Sequence, residues 1–192
     1  KRDAAVAAAL KLRPEALPVE AIQLDVNDDI SIAAAVGTVE QRHGHLDILI
    51  NNAGIMIEDM QRKPSEQSLD TWKRTFDTNL FAVVGVTKAF LPLLRRSLAG
   101  RIVNVSSILG SLTLHTQQGS PIYDFKIPAY DASKSALNSW TVHLAHELRE
   151  SAIKVNMVHP GYVKTDMNGG VGEIDVEQGA HSSVQMALID AH

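Results

Sequence analysis

The sequence predicts an α/β fold built on a parallel β-sheet. Short apolar segments alternate with longer stretches of helical periodicity, which is typical of β-α-β units. Strands are predicted at four places: 21–26, 46–50, 101–107 and 154–159. Helices are predicted between and after them, over 28–43, 68–97, 129–149 and 176–190. With 192 residues and 45% hydrophobic content, the chain is long enough for a single domain with its own core.

The element boundaries rest on residues that start or stop regular structure. Asn27 or Asp28 can cap the first helix, and Gly44 can end it. Pro92 is expected to bend or split the end of the long second helix. Pro128 ends an irregular stretch before the third helix, and Pro160 stops the fourth strand.

Composition excludes several classes of function. A net charge of −4 and an acidic pI give no electrostatic footprint for nucleic acid. Cysteine is absent, so disulfides and thiolate chemistry are excluded, in agreement with a reducing compartment. The longest uncharged apolar runs are too short for a bilayer, so we expect no membrane partner and a cytoplasmic location. His143 and His146 lack the spacing and third ligand of a zinc site, so no metal is expected.

Tyr130 and Lys134 are the strongest candidates for acid/base chemistry. They lie four residues apart in a predicted helix, where positions i and i+4 share a face. An ammonium beside a phenol favours the phenolate, which predicts a lowered pKa for Tyr130. A Tyr-x-x-x-Lys spacing also arises by chance, so its surroundings decide its meaning.

Polar residues stand where three predicted strands end. Asp25-Val26 ends the first strand, 51–54 (Asn-Asn-Ala-Gly) follows the second, and Ser106-Ser107 ends the third. Open α/β sheets bind ligands at this edge. Asn79 is a polar residue in the middle of an apolar helical pattern. Each feature taken alone also suits an ordinary turn or an exposed helix face.

Taken in order, these sequence motifs resemble those of the short-chain dehydrogenase/reductase family, and the resemblance covers nearly the whole chain. The matching segments are Leu24-Asp-Val26, Asn51-Asn-Ala-Gly54, Asn79, Ile102-Val-Asn-Val-Ser-Ser107, Tyr130-Asp-Ala-Ser-Lys134 and Pro160-Gly-Tyr-Val-Lys-Thr165. The resemblance implies a Rossmann-like doubly wound parallel sheet in a three-layer α/β/α arrangement, with strand order 3-2-1-4-5-6-7. The long segment 108–129 is similar to insertions in carbonyl-reductase-like members.

The resemblance implies four catalytic residues. Tyr130 would exchange a proton with the substrate oxygen, and Lys134 would lower the pKa of Tyr130 and hold the nicotinamide ribose. Ser107 would hydrogen-bond the substrate oxygen, and Asn79 would bind a water that relays protons to Lys134.

It also implies a dinucleotide site. Besides Tyr130 and Lys134, its cofactor-binding residues would be Arg2, Asp25, Val26, Asn52, Ala53, Gly54, Pro160, Gly161, Val163 and Thr165. Arg2 stands where NADP-preferring relatives carry a basic residue, so NADP(H) is favoured and NAD(H) is the alternative.

The implied function is reduction of a carbonyl or oxidation of an alcohol on a small molecule. The alternative is a catalytically silent dinucleotide-binding regulator or scaffold. Family members often pair through the helices that correspond to 68–97 and 129–149, so a homo-oligomer is a possible assembly.

The chain departs from the family pattern at both ends. The glycine-rich turn that follows the family's first strand is absent, as are the first two strands, and the last strand is absent too. We therefore expect 1–192 to be one dinucleotide-binding domain, incomplete at the N-terminus and the C-terminus, whose activity belongs to a longer parent. The segment 108–129 carries Leu112, Leu114, Ile122, Tyr123 and Phe125, which could wall a substrate pocket or cover an exposed surface.

Overall fold

The computed structural model describes residues 19–190, in which a parallel three-stranded sheet forms the centre. The strands are β1 (Ile48–Asn51), β2 (Arg101–Val105) and β3 (Lys154–Val158), in the order β1-β2-β3. Ile48 lies opposite Arg101, which lies opposite Lys154. Three of the four predicted strands are confirmed, and their carboxyl ends meet at one edge.

Six α-helices lie in the described part of the chain. They are α1 (Asp29–His43), α2 (Leu69–Phe76), α3 (Ala82–Leu94), α4 (Leu112–Thr116), α5 (Pro128–Glu147) and α6 (Val176–Ala187). Asp28 caps α1, because its side chain accepts a hydrogen bond from the backbone N–H of Ile30 at 3.0 Å. Gly44 ends α1 with a φ of 75°, a left-handed conformation that glycine adopts without strain.

The long helix predicted over 68–97 is interrupted by a wider turn. Between α2 and α3, Asp77–Phe81 form a π-helical segment with Asn79 at its centre. Such a turn inserts an extra residue into the helix and is frequent at functional sites. Pro92 lies inside α3 near its end without splitting it.

The stretch Leu69–Leu94 is apolar enough to cross a membrane by length and composition alone, with a mean hydropathy of 1.3 over 18 residues. Half of that window is buried inside the fold. Val86, Phe90 and Leu93 pack against α1 in one core cluster, which accounts for the apolar character of the helix.

Helices cover both faces of the sheet. Ile102 packs with Leu94 of α3 and Leu144 of α5, whereas its neighbour Val103 packs with Ala187 of α6. Since successive side chains on a strand point to opposite faces, α3 and α5 lie on one face and α6 on the other. The predicted three-layer α/β/α class is confirmed.

The strand predicted over 21–26 is wrong for the described structure. Residues 19–25 are not in a ladder, and a turn at Val26 leads into α1. Within 19–190 no strand lies beside this segment, so its backbone groups have no sheet partner. It packs against the core instead: Ile22 and Val26 contact the cluster formed by α1 and α3, and the backbone N–H of Asp25 donates to Ser31 Oγ at 2.8 Å.

The segment 108–129 is ordered into a 3₁₀ turn (Ile108–Gly110), the short helix α4 and a series of turns. Ile122 is buried, while Leu112 is 70% exposed and Phe125 is also exposed. One side of the segment therefore faces the core, and the other side is exposed to solvent.

Candidate active site

Tyr130 and Lys134 lie on successive turns at the start of α5, beside the end of β2. Lys134 is only 4% exposed, and its Nζ donates a hydrogen bond to the Val105 carbonyl oxygen at 2.7 Å. The same Nζ lies 5.6 Å from the centre of the Tyr130 ring. The predicted pairing of the two side chains is present in the fold.

Burial determines the charge of Lys134. Removing the ammonium from water lowers its pKa from 10.5 to about 8. Among the residues that the structure describes, Nζ donates only the bond to Val105. An ammonium has three N–H donors, so two remain for a ligand.

Tyr130 has a raised pKa of about 12. Burial of the phenol is the largest cause, and a hydrogen-bonding interaction with Ser107 opposes it. The charges of Asp131 and Glu58 raise the pKa further. The Tyr-Lys spacing predicts a lowered value, and that expectation is wrong for the chain alone because desolvation outweighs the other effects. Tyr130 is thus held in its protonated form.

Asn79 joins the loop after β1 to the first turns of α5. Its amide donates to the Ile55 carbonyl oxygen at 2.9 Å and to Ser133 Oγ at 3.0 Å, and its Oδ1 accepts from the Ile55 N–H at 2.8 Å. Ser133 Oγ in turn donates to the Tyr130 carbonyl oxygen at 2.7 Å. Both amide hydrogens of Asn79 are used, so a water held by this residue would depend on its oxygen atoms.

Gly54 lies directly beside two of the candidate catalytic residues. A Cβ atom at this position would lie 3.4 Å from Asn79 Oδ1 and 3.7 Å from Lys134 Nζ. Val26, Asn52 and Ala53 line a neighbouring cavity of about 280 Å³. A buried lysine with two unused donors, near a cavity lined by polar and apolar residues, is compatible with a polar, elongated ligand such as a dinucleotide.

The other predicted cofactor residue near β1 is Asp25, and its side chain is engaged locally. Its Oδ1 accepts a hydrogen bond from the Asn27 N–H at 3.0 Å. Arg2 lies outside the described residues.

The remaining predicted cofactor residues follow β3, and they are Pro160, Gly161, Val163 and Thr165. Gly161 has a φ of 92°, and a Cβ there would approach Ile174 Cδ1 to 2.7 Å, so only glycine fits. Val163 forms a β-bridge with Ile174 and contacts Gly179 of α6, which fixes the loop against that helix. The described contacts of this loop run to α6 rather than to Tyr130.

Comparison with known proteins agrees with this arrangement. A family model described as short chain dehydrogenase matches residues 1–174. The chain belongs to the short-chain dehydrogenase family. It is 40% identical over 171 residues to the short-chain dehydrogenase anuI of Penicillium roqueforti, covering 86% of this chain and 66% of that relative. The chain thus spans about two thirds of the relative's length.

Solved structures of short-chain dehydrogenases share its fold. Salutaridine reductase from Papaver somniferum superposes with a TM-score of 0.82 at 27% identity, covering 97% of this chain and 84% of that one. NADPH-bound carbonyl reductase from chicken fatty liver gives a TM-score of 0.82 at 28% identity, covering 96% and 76%. The carbonyl-reductase-like character predicted from the sequence is confirmed.

Two carboxylates near Tyr130 in this short-chain dehydrogenase escape sequence-based prediction. Glu58 Oε1 accepts the Tyr130 backbone N–H at 2.5 Å. Asp131 Oδ2 lies 3.3 Å from Nε2 of His115, which belongs to the inserted segment. Burial raises the pKa of Asp131 to about 6. The position of Asp131 next to Tyr130 in the sequence is a weak signal, but Glu58 lies 72 positions before Tyr130 and gives none.

Proposed function

We propose that the protein is an NAD(P)(H)-dependent oxidoreductase that reduces a carbonyl group or oxidises an alcohol. The observation that carries the proposal is the cluster at the end of β2. There a protonated tyrosine, a buried lysine with free donors and a serine that interacts with the phenol lie together. Membership of a dehydrogenase family supports the same function.

In the reductive direction, Tyr130 donates its phenolic proton to the carbonyl oxygen of the substrate. A bound reduced nicotinamide supplies the hydride that the carbonyl carbon gains, so C=O becomes CH–OH. Ser107 hydrogen-bonds the same oxygen and orients it toward Tyr130. The phenolate left on Tyr130 is stabilised by the nearby Lys134 ammonium, and it regains its proton from solvent by way of Lys134 and Asn79.

The cofactor would be held along the carboxyl edge of the sheet. Asp25, Val26, Asn52, Ala53 and Gly54 would hold its adenosine half, and Lys134 would hold ribose hydroxyls. The loop with Pro160, Gly161, Val163 and Thr165 would lie at the nicotinamide. We favour NADP(H) over NAD(H) because of Arg2, and the NADPH-bound chicken carbonyl reductase supports that preference.

The substrate would be a small molecule, and the segment 108–129 would shape its pocket. We further propose that the protein works in the cytoplasm. Pairing of two copies through α3 and α5 is the expected form of any homo-oligomer.

The test is oxidation of NADPH by the full-length protein, followed at 340 nm with a panel of aldehydes, ketones and quinones. The Tyr130→Phe variant should lose activity at least about 100-fold, because a positioned general acid contributes roughly 10²–10⁴-fold. Its melting temperature and NADPH binding should be unchanged, because only one hydroxyl is removed. Repeating the assay with NADH measures the cofactor preference.

Binding without turnover on every substrate would contradict the proposal. It would favour the regulator, which keeps the fold and responds to dinucleotide occupancy. A Tyr130→Phe variant that retains full activity would also contradict the assigned role of the phenol.

A further inference from the structure

The N-cap residue of α5 does not cap the helix with its own side chain. It is Ile127, whose side chain makes no capping hydrogen bond, and Pro128 at the first position has no N–H. Asp131 Oδ2 accepts the Ile127 N–H at 2.9 Å from within the helix, whereas the Tyr130 N–H is bonded by a group from outside it.

Glu58 supplies one such group from outside the helix. It lies in the loop after β1, and its Oε1 accepts the Tyr130 N–H at 2.5 Å. A carboxylate is favoured here because the N-terminus of a helix carries a partial positive charge. Ser133 Oγ holds the Tyr130 carbonyl oxygen, so side chains bond both polar groups of the Tyr130 backbone.

The loop that carries Glu58 is itself fixed. Both backbone polar groups of Ile55, three residues earlier, are bonded to the Asn79 side chain. Because Asn79 also donates to Ser133, the loop is tied to the π-helical turn and to α5 at the same time. Glu58 therefore bonds Tyr130 from a loop that hydrogen bonds hold in position.

We propose that Glu58 is a positioning residue, which fixes the first turn of α5 and with it the Tyr130 phenol for proton transfer. The inference rests on the proposed oxidoreductase function and extends it to a residue outside the four catalytic ones. Glu58 acts on the backbone of Tyr130 and does not itself exchange a proton with substrate.

The second oxygen of Glu58 gives the residue an electrostatic role as well. Oε2 is buried, and it has no hydrogen-bond partner in the part of the chain described. Its charge stays close to the phenol and raises the pKa of Tyr130. The other groups that act on the phenol are Ser107, which lowers its pKa, Asp131, which raises it, and the Lys134 ammonium at 5.6 Å from the ring. Glu58 thus favours the protonated phenol that carbonyl reduction requires.

Two variants separate these roles. Glu58→Ala removes both the acceptor and the charge, whereas Glu58→Gln keeps an acceptor oxygen and removes only the charge. Asp59→Ala is the matched control, because within residues 19–190 the Asp59 side chain bonds only to its own loop, at Gln61 and Arg62.

Amide hydrogen exchange tests the backbone contact without any need for activity. In Glu58→Ala we expect the Tyr130 amide to exchange at least about 10-fold faster, while Glu58→Gln and Asp59→Ala leave it within about 2-fold of the wild type. An unchanged Tyr130 amide in Glu58→Ala, with the fold intact by its melting curve, would overturn the proposal.

Steady-state kinetics test the catalytic consequence. Glu58→Ala should lower kcat about 10- to 100-fold with a KM within about 3-fold, because a misplaced acid loses rate rather than binding. Glu58→Gln should restore most of kcat at neutral pH and move the basic limb of the pH profile of kcat/KM to lower pH. A purely structural role predicts no movement of that limb, so an unmoved limb would refute the catalytic consequence.

Different measurements test the oxidoreductase function and the role of Glu58. If the wild-type protein turns over no substrate, the oxidoreductase proposal fails. The exchange rate of the Tyr130 amide still decides whether Glu58 holds that residue.

Discussion

Replacing the buried Lys134 with methionine should change how the stability of the protein depends on pH. The ammonium is 4% exposed and has one hydrogen-bond acceptor within the described chain, the Val105 carbonyl oxygen. Burial lowers its pKa to about 8, whereas the unfolded chain has an ordinary value of 10.5. Between these values the unfolded chain holds a proton that the folded chain has lost.

The difference between the folded and unfolded pKa values of Lys134 sets the sign and the size of the change in stability with pH. Stability rises with pH wherever the unfolded state binds more protons, so the cost of the buried charge is fully present below about pH 8 and disappears toward pH 10.5. At about 1.4 kcal/mol per pKa unit, the wild type should gain about 3 kcal/mol over this range. Lys134→Met lacks this gain. At pH 7 its stability should match or exceed that of the wild type, because the relieved desolvation offsets the lost bond to Val105.

The assay is urea unfolding at pH 7 and pH 10 without cofactor, on the wild type, Lys134→Met and Lys88→Met. Lys88 is exposed on α3, so its replacement should leave the pH dependence unchanged. Comparing the variants cancels the titration of other groups. Parallel changes in the stability of the wild type and Lys134→Met from pH 7 to pH 10 would show that Lys134 is not the source of the pH dependence. Activity should be lost in Lys134→Met even where stability is gained, a trade-off common at functional sites.

Two further substitutions test the loop after β3 and the partner of the inserted segment. Gly161→Ala should lower the free energy of unfolding by about 1–3 kcal/mol, because its φ is 92° and the new methyl meets Ile174 at 2.7 Å. Gly37→Ala, in α1 with open space around it, should instead raise that free energy by about 0.5–1 kcal/mol, and chemical denaturation that ranks the two alike would contradict this. For Asp131, burial raises the pKa from 3.8 to about 6. Between these values the folded chain keeps a proton that the unfolded chain loses. The free energy of unfolding therefore falls as pH rises through this window. Urea unfolding at pH 4 and pH 7 should show a loss of about 2–3 kcal/mol that Asp131→Asn lacks, and equal losses in both proteins would rule out Asp131 as its source.

The parts of the fold that follow from local patterns are predictable from the sequence. The alternation of apolar strands and helical segments places β1, β2 and β3 correctly, because each strand finds a neighbouring strand within the chain. The segment 21–26 has the same apolar character but no such neighbour among the described residues, and it forms no ladder. A strand is defined by its partner, so a local pattern alone does not decide it.

The candidate site likewise has features that follow from the local sequence and features that depend on the fold. The i, i+4 spacing of Tyr130 and Lys134 correctly places them on one face of a helix, since helical periodicity is a local property. The direction of the Tyr130 pKa is not local. It depends on how deeply the fold buries the phenol and on carboxylates that other segments bring near it.

Short-range patterns and ordered motifs in the amino-acid sequence are enough to establish the family of this protein, its α/β layers and the residue types at the strand ends. The bonds from Glu58 to Tyr130, and from Asn79 to Ile55 and Ser133, depend on the three-dimensional fold. These partners lie 24 to 72 residues apart along the chain. The packing of the π-helical segment Asp77–Phe81 and of the loop after β1 against α5 brings their atoms within hydrogen-bonding distance.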